Sequence, residues 1–200
     1  MHVVTAGNHT TDLIIGLDIS TTTTGITVLG HDGSLEDLMY VSTADCASLW
    51  DVADKIRHTI SALNVGRKYT HVFVEEDLKR FKRGRSSAHT LMTLAKINGI
   101  VSYMVRTAFS VEPIAISVND ARKRCGIKLV KAKTADEKKD ALWTKRQVFD
   151  HMTSTRSELS CITWPMTKPS AVNPTGRIRT ECYDMIDSYV IARAGLLDHV

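Results

Sequence analysis

Four carboxylates occupy positions in the sequence from which they could bind a metal ion. Asp18 and Glu75 each directly follow a short apolar run that is typical of a buried strand. A carboxylate at such a strand end lies at the edge of a sheet, where it is held rigidly and reached by solvent. Asp184 and Asp187 are three residues apart near the end of the chain, a spacing that puts both on one face of a helix.

Carboxylates that meet at one site repel one another unless some are protonated or a cation joins them. Hard oxygen ligands of this kind suit Mg²⁺ or Mn²⁺. Two such ions can stabilise the attacking and leaving oxygens in phosphodiester cleavage. Each acid taken singly also fits a turn, a helix cap or an ion pair. Spacing alone leaves the ligand pair of the last helix open, because Glu181, Asp184 and Asp187 are all three apart.

The positive charge of the chain is concentrated in two segments. Residues 79–85 contain five basic residues and no acidic one, and residues 122–146 contain ten basic and three acidic residues. These segments carry +12 and the remaining residues −8, although the net charge of the whole chain is only +4. Localised positive charge on a mildly acidic body is typical of a protein that binds a polyanion. Two basic segments that only face solvent, without binding a polyanion, would give the same charge count.

Composition excludes several other classes. The four cysteines are scattered, without the spacing of a zinc site or the density of a disulfide framework. No apolar run approaches the roughly 18 residues that a membrane helix needs. The first residues lack the basic and apolar regions of a signal peptide. The sequence therefore predicts an intracellular protein that does not enter the membrane.

The periodicity of apolar residues predicts the elements that position the carboxylates. Strands are expected at 13–18, 25–29, 35–43, 71–75 and 114–118. Helices are expected at 47–63, 87–108, 135–151 and 181–197, with a short helix that Asn119 caps and Gly126 ends. Three opening strands in a meander, followed by alternating helices and strands, predict a mixed sheet of about five strands flanked by helices.

This order is that of a single ribonuclease H-like α/β domain over residues 12–200. Residues 1–11 are predicted to form a polar tail. Residues 153–180 are rich in Pro, Ser and Thr and are predicted to form a long irregular insertion.

The motifs LIIGLDIS, TTTTG, HVFVEE and DMIDSYVIARA, in this order, resemble the RuvC-type Holliday junction resolvases. TLAKINGI also resembles the long helix that follows the Glu strand in that family. The resemblance covers roughly residues 12–125 and 181–195. It favours the pair Asp184 and Asp187 over Glu181 in the last helix, because the D-x-x-D motif precedes a small apolar stretch.

The resemblance implies a homodimer that makes paired nicks across four-way DNA, with two Mg²⁺ or Mn²⁺ ions in each active site. Asp18, Glu75, Asp184 and Asp187 would be the metal-binding and catalytic residues. Glu76 competes with Glu75, which is preferred because it directly follows the apolar strand. Family members also use lysines near the site, and the candidates are Lys123 and, with weaker support, Lys138 and Lys139.

The basic segment after Glu75 would then contact DNA phosphates at the rim of the active site. Its predicted contact residues are Lys79, Arg80, Phe81, Lys82, Arg83 and Arg85, and Leu78 or Phe81 could act as an apolar wedge in an opened junction. Helix 87–108 has more apolar surface than a helix packed on one side needs. Core packing or a dimer interface would explain that surface.

Two departures from the family pattern affect selectivity more than chemistry. Ser20 stands where bacterial members usually have Gly, and residues 126–180 form a longer segment that matches poorly. A divergent branch, such as a viral one, would fit both departures.

Other classes remain open at this point. Another ribonuclease H-like nuclease could act on RNA, hybrids or flaps. A DNA-binding module without activity is a further reading, which intact carboxylates disfavour. Actin-like ATPases and sugar kinases have a similar first phosphate loop. They need a second domain and a second such loop, which this sequence does not contain.

Overall fold

The computed structural model describes residues 12–76, 88–170 and 174–199, together with the backbone of residues 2–4. The described residues form one six-stranded sheet in the order β1-β4-β3-β2-β5-β6. The strands are β1 His2–Val4, β2 Asp12–Ile19, β3 Thr23–Gly30, β4 Leu35–Ser42, β5 Lys68–Glu75 and β6 Pro113–Ile116.

The sheet is mixed, as the sequence predicts. β2, β3 and β4 form an antiparallel meander, while β5 runs parallel to β2, and β6 parallel to β5. One strand was not predicted: residues 2–4, within the expected tail 1–11, pair antiparallel with β4 at the outer edge of the sheet. No local pattern marks these three residues as a strand, because their partner lies more than thirty residues away.

Helices cover both faces of the sheet. They are α1 Leu49–Leu63, α2 Ala88–Phe109, α3 Val118–Arg124, α4 Ala135–Lys139, α5 Trp143–Thr155, α6 Ser157–Ser160 and α7 Thr180–His199. α1 and α2 pack on each other over one apolar core. α7 crosses β2 and β3 on the opposite face, where α3 and α5 pack against it over a second core. The α/β fold class predicted from the sequence is confirmed.

Glycines on β2 and β3 let α7 approach the sheet closely. A methyl group on Gly16 would lie 2.6 Å from the Ala192 side chain, and one on Gly25 would lie 2.1 Å from the Asp184 carbonyl oxygen. Gly25 is also the cross-strand partner of Asp18. The close approach at Gly25 therefore brings the first half of α7 next to the end of β2.

Two helix predictions need correction. The predicted helix 135–151 is two helices, because Asp140 adopts an extended conformation and its carboxylate accepts the Leu142 N–H at 3.0 Å. The Thr134–Glu137 capping box starts α4 as predicted. Ser117, rather than Asn119, caps α3 by accepting the Asp120 N–H at 3.2 Å. Both residue types cap helices well, so composition alone could not choose between them.

The segment predicted as an irregular insertion, 153–180, begins with the end of α5 and the short helix α6. An isolated antiparallel bridge then joins Met166 and Ile178. Residues 171–173 lie outside the described part of the chain. None of the helices in the described ranges is long and apolar enough to span a membrane.

Candidate metal centre

Two carboxylates lie at the ends of neighbouring parallel strands. Leu17 of β2 pairs with Val74 of β5. The residues that follow them, Asp18 and Glu75, therefore lie side by side at the carboxyl ends of these two strands. After burial, the neighbouring Glu75 carboxyl is the next cause of the raised pKa of Asp18. Asp18 is buried, whereas Glu75 is half-buried. Glu76, the competing candidate, continues the chain toward β6, where its N–H donates to the Ile116 carbonyl at 2.9 Å.

The last helix adds two more carboxylates to this edge. Ligand oxygens of Asp18, Asp184 and Asp187 all lie within 4.8 Å of one another, and the three side chains are buried. Among the described residues this is the one group of His, Cys, Asp and Glu side chains with such spacing. Glu181 instead accepts a hydrogen bond from Arg179 at 2.7 Å. The structure thus brings Asp18, Asp184 and Asp187 together, with Glu75 at the end of the strand next to Asp18.

Two cations contact the carboxylate cluster, and the sequence analysis named neither of them. The Lys145 ammonium of α5 donates to Asp184 and lies 3.5 Å from an Asp187 oxygen. The Arg122 guanidinium of α3 lies 3.4 Å from the other Asp187 oxygen. Both belong to the basic segment 122–146, but nothing in the spacing of its ten basic residues distinguishes them.

The lysines proposed from the sequence lie elsewhere. Lys123 is exposed on α3, one residue after Arg122, and Lys138 and Lys139 are exposed on α4. In the described ranges, the ion pairs of the carboxylate cluster involve Arg122 and Lys145 but none of these three lysines.

Burial dominates the electrostatics of the cluster. It raises the pKa of Asp18 well above its usual range, an effect that the Glu75 hydrogen bond and the charges of Asp187 and Glu75 increase and Lys145 opposes. Burial also raises the pKa of Asp184, again against the effect of Lys145. Burial lowers the pKa of Lys145, but Asp187, Asp184 and Asp18 outweigh it, and the pKa lies above its ordinary value. Burial of these carboxyl groups therefore disfavours their charged forms, and Lys145 partly offsets that penalty.

The residues present fit a divalent cation. Carboxylate oxygens are the donors that Mg²⁺ and Mn²⁺ prefer. Burial and, to a smaller extent, neighbouring carboxylates raise the pKa values of Asp18 and Asp184, and an added cation would stabilise their charged forms. Asp18, Asp184 and Asp187 would hold it, with Glu75 adjoining. A site of this composition supports hydrolysis of phosphate esters.

A basic loop is hydrogen-bonded to α5. Residues 127–134 connect α3 to α4 and carry the exposed side chains of Lys128, Lys131 and Lys133. Val130 fixes the loop to the start of α5: its carbonyl accepts from the Trp143 indole at 3.0 Å, and its N–H donates to Gln147 at 2.6 Å. Two hydrogen bonds thus hold this basic loop against α5, the helix that also carries Lys145.

The DNA contacts that the sequence predicts after Glu75 fall in the segment 77–87. Leu78 and the contact residues Lys79, Arg80, Phe81, Lys82, Arg83 and Arg85 lie outside the described residues.

Comparison with known proteins gives matches at the level of structure. No protein-family model matches the sequence. No curated protein matches it significantly. Among solved structures, the chain is similar to Thermus thermophilus RuvC in complex with Holliday junction substrate, with a TM-score of 0.56 and 16% identity over 93% of this chain and 92% of that one.

Two further solved structures are similar to this chain over most of its length. A second Thermus thermophilus RuvC structure gives a TM-score of 0.54 at 18% identity, covering 91% of this chain and 92% of that one. The yeast mitochondrial Holliday junction resolvase Ydc2 gives 0.54 at 12% identity, covering 96% of this chain and 80% of that one. The resemblance seen in the sequence motifs is thus confirmed in three dimensions over most of the chain. The protein has the ribonuclease H-like fold of the RuvC-type resolvases.

Proposed function

We propose that this protein is a metal-dependent endonuclease that cuts branched DNA, with the four-way junction as its main substrate. The observation that carries the proposal is the buried cluster of Asp18, Asp184 and Asp187, whose ligand oxygens lie within 4.8 Å of one another beside Lys145. The fold supports the substrate class, because the similar solved structures are a RuvC with Holliday junction substrate and a Holliday junction resolvase.

The chain's own groups divide the work of phosphodiester hydrolysis. Two divalent ions, Mg²⁺ or Mn²⁺, would supply water activation and charge neutralisation when bound. Asp18, Glu75, Asp184 and Asp187 would hold them on rigid elements, the ends of β2 and β5 and the buried face of α7. Preorganised ligands of this kind need no rearrangement during the reaction.

Lys145 would contribute charge on the substrate side. Its side chain is 35% exposed, so the ammonium meets both the buried carboxylates and the surface. A phosphate that reaches the cluster would meet this cation, which could donate to a phosphate oxygen as negative charge builds up. Arg122 is more enclosed, with 15% of its side chain exposed, and its role would be to orient Asp187.

The basic segments would hold the DNA backbone. The exposed lysines of the loop 127–134, which is hydrogen-bonded to α5, could neutralise phosphates. The segment 79–85 follows Glu75 in the chain and remains a proposed second contact, with Phe81 as a proposed wedge. Replacement of Phe81 by Ala should then reduce cleavage of junctions more than cleavage of nicked or open forms.

A second copy of the chain would cover the face opposite the carboxylates. α1 and α2 enclose an apolar groove of about 780 Å³ between them. Trp50 and Tyr103 line this groove and are 73% and 67% exposed. Exposed aromatic and apolar side chains that lie together mark an interaction surface. Dimerisation through α2 would provide the two active sites that paired nicks require.

The decisive experiment compares Mg²⁺-dependent cleavage of four-way, three-way, flap and RNA–DNA hybrid substrates. We expect the four-way junction to be cut fastest. Asp18→Asn and Asp187→Asn should each lower the rate by about 10³-fold while junction binding is retained. Asp198→Asn, which alters an ion pair with Arg124 near the other end of α7, is the matched control and should cut normally.

Two results would change the proposal. If both carboxylate variants still cut, the catalytic site is elsewhere. If hybrid or flap substrates are cut fastest, the protein is a ribonuclease H-like nuclease of a different specificity.

A further inference from the structure

The basic loop 127–134 carries two exposed apolar side chains in succession. Leu129 is 41% exposed and Val130 is 57% exposed. Among the large hydrophobic residues that are exposed in the described ranges, these two are the one pair of neighbours in the chain. Single apolar side chains are common on protein surfaces, whereas two together form a continuous apolar surface that gains free energy when a partner covers it.

The backbone that carries this pair is fixed by hydrogen bonds. The Val130 N–H donates to the Gln147 side chain at 2.6 Å. The Val130 carbonyl accepts from Gln147 at 3.1 Å and from the Trp143 indole at 3.0 Å. At the start of the loop, Ile127 is buried in the core beneath α7. A side chain on such a fixed backbone loses little conformational entropy when it inserts into a partner.

The charges around the pair select the chemistry of that partner. Lys128 and Lys131 flank the two apolar residues directly, Lys133 follows, and all three lysines are exposed. The loop 127–134 contains no acidic residue. Such a loop attracts a polyanion. A nucleic acid offers phosphates to the lysines and the apolar faces of its bases to the side chains between them, so it matches both features of the loop.

The anchoring of the loop also determines its distance from the carboxylates. Trp143 and Gln147 are four residues apart and lie on one face of α5, whereas Lys145, two residues from each, lies on the opposite face. The helix therefore separates the loop from the carboxylate cluster by roughly one helix diameter, about 10 Å. A DNA strand advances by this distance in about three nucleotides.

We propose that Leu129 and Val130 form an apolar wedge that inserts between neighbouring bases at the branch point of the DNA. Lys128 and Lys131 would bind the phosphates on either side. Unstacking costs least where bases are already unpaired, so the wedge would favour branched DNA over an intact duplex. The inference rests on the proposed function, because it takes branched DNA as the ligand. It concerns a different part of the chain from Phe81, which lies outside the described residues.

Fluorescence of 2-aminopurine tests the wedge, because this base fluoresces more strongly when it is unstacked. Four-way junctions with 2-aminopurine at successive positions near the crossover are saturated with the full chain in Ca²⁺. We expect a fluorescence increase about three nucleotides from the cleavage site. The double variant Leu129→Ser, Val130→Ser should reduce this increase about fivefold, while the Kd for the junction changes less than about threefold because the lysines remain. Lys131→Met should raise the Kd and leave the increase at saturation intact.

Val65→Ser is the matched control, since Val65 is 79% exposed and lies outside the loop, and it should change neither quantity. The proposal is wrong if the double variant gives the same increase at saturation as the wild-type chain, or if no position responds to the wild-type chain. Binding to phosphatidylserine vesicles that the double variant abolishes, with junction opening unchanged, also overturns it, since the loop would then insert into lipid. If the wild-type chain binds no junction, the proposed function fails and the wedge with it.

Discussion

The two faces of the central sheet are built from different residues of the same strands. On β2, Leu13, Ile15 and Leu17 point toward α1 and α2 and form a core of large aliphatic side chains. The alternate positions Gly16 and Asp18 point toward α7. Large side chains keep a helix at a distance, whereas glycine lets its backbone touch the strand. The same strands thus support an ordinary apolar core on one face and, on the other, a closely packed helix that carries buried carboxylates.

The α7 face is also the polar one. Thr27 of β3 faces Ser188 of α7 and bonds it at 2.7 Å, both residues being buried. Ile26 and Val28, their neighbours on the opposite face, are wholly apolar. A helix held by close backbone contact and hydrogen bonds can carry buried carboxylates in a fixed place. The apolar face, with its open groove, is better suited to association than to chemistry.

The largest effect should come from filling the contact between α7 and β3. In Gly25→Ala the added methyl would meet the Asp184 carbonyl at 2.1 Å, so we expect a loss of about 3 kcal/mol in the free energy of unfolding in urea. Gly99→Ala is the matched change on α2, where nothing lies within 4 Å of the added carbon. It should stabilise the protein by about 0.5–1 kcal/mol. Equal losses at both positions would mean that α7 is not packed more closely than α2.

Lys145→Met should lower the cleavage rate by about a hundredfold, because it removes a cation that the cluster and the phosphate would share. Lys123→Met makes the same change at the lysine that the sequence favoured, which is exposed. We expect a smaller effect there, measured as single-turnover cleavage of the same junction. A larger effect at Lys123 would show that the substrate approaches from α3 and would assign the catalytic lysine as the sequence did.

On the opposite face, Trp50→Asp should weaken dimerisation by about 2 kcal/mol, because a charge would enter the apolar groove. Sedimentation velocity over a range of concentrations measures this effect. Val65→Asp is the control, since Val65 is 79% exposed on the same side of the molecule but outside the groove. If Val65→Asp dissociates the chain as readily, or if the wild-type protein sediments as a monomer, the groove is not the dimer interface.

The sequence predicted the elements of both faces well but only part of the site. Apolar runs are local signals, and they located Asp18 and Glu75 at strand ends. The choice of Asp184 and Asp187 on α7 over Glu181 came from the resemblance to the RuvC-type resolvases. Lys145 and Arg122 reach the cluster across 39 and 65 residues of chain, a distance that local patterns do not encode. The break between α4 and α5 at Asp140 was not predicted, because the pattern of apolar and charged residues continues across it.

The smallest effect concerns the hydrogen bond that joins β3 and α7 on the face that carries the carboxylates. Ser188 also donates to the Met185 carbonyl at 2.7 Å, so Thr27 must be the donor in the Thr27–Ser188 bond. Thr27→Val should therefore cost only about 1 kcal/mol, because Ser188 keeps its own acceptor. Ser188→Ala should cost more, since it leaves the buried Thr27 hydroxyl without a partner among the described residues. Urea unfolding of both variants and of the double variant measures the asymmetry. Equal costs would mean that the hydroxyl finds another acceptor on α7, and that the polar contact between this helix and the sheet is less specific than the geometry implies.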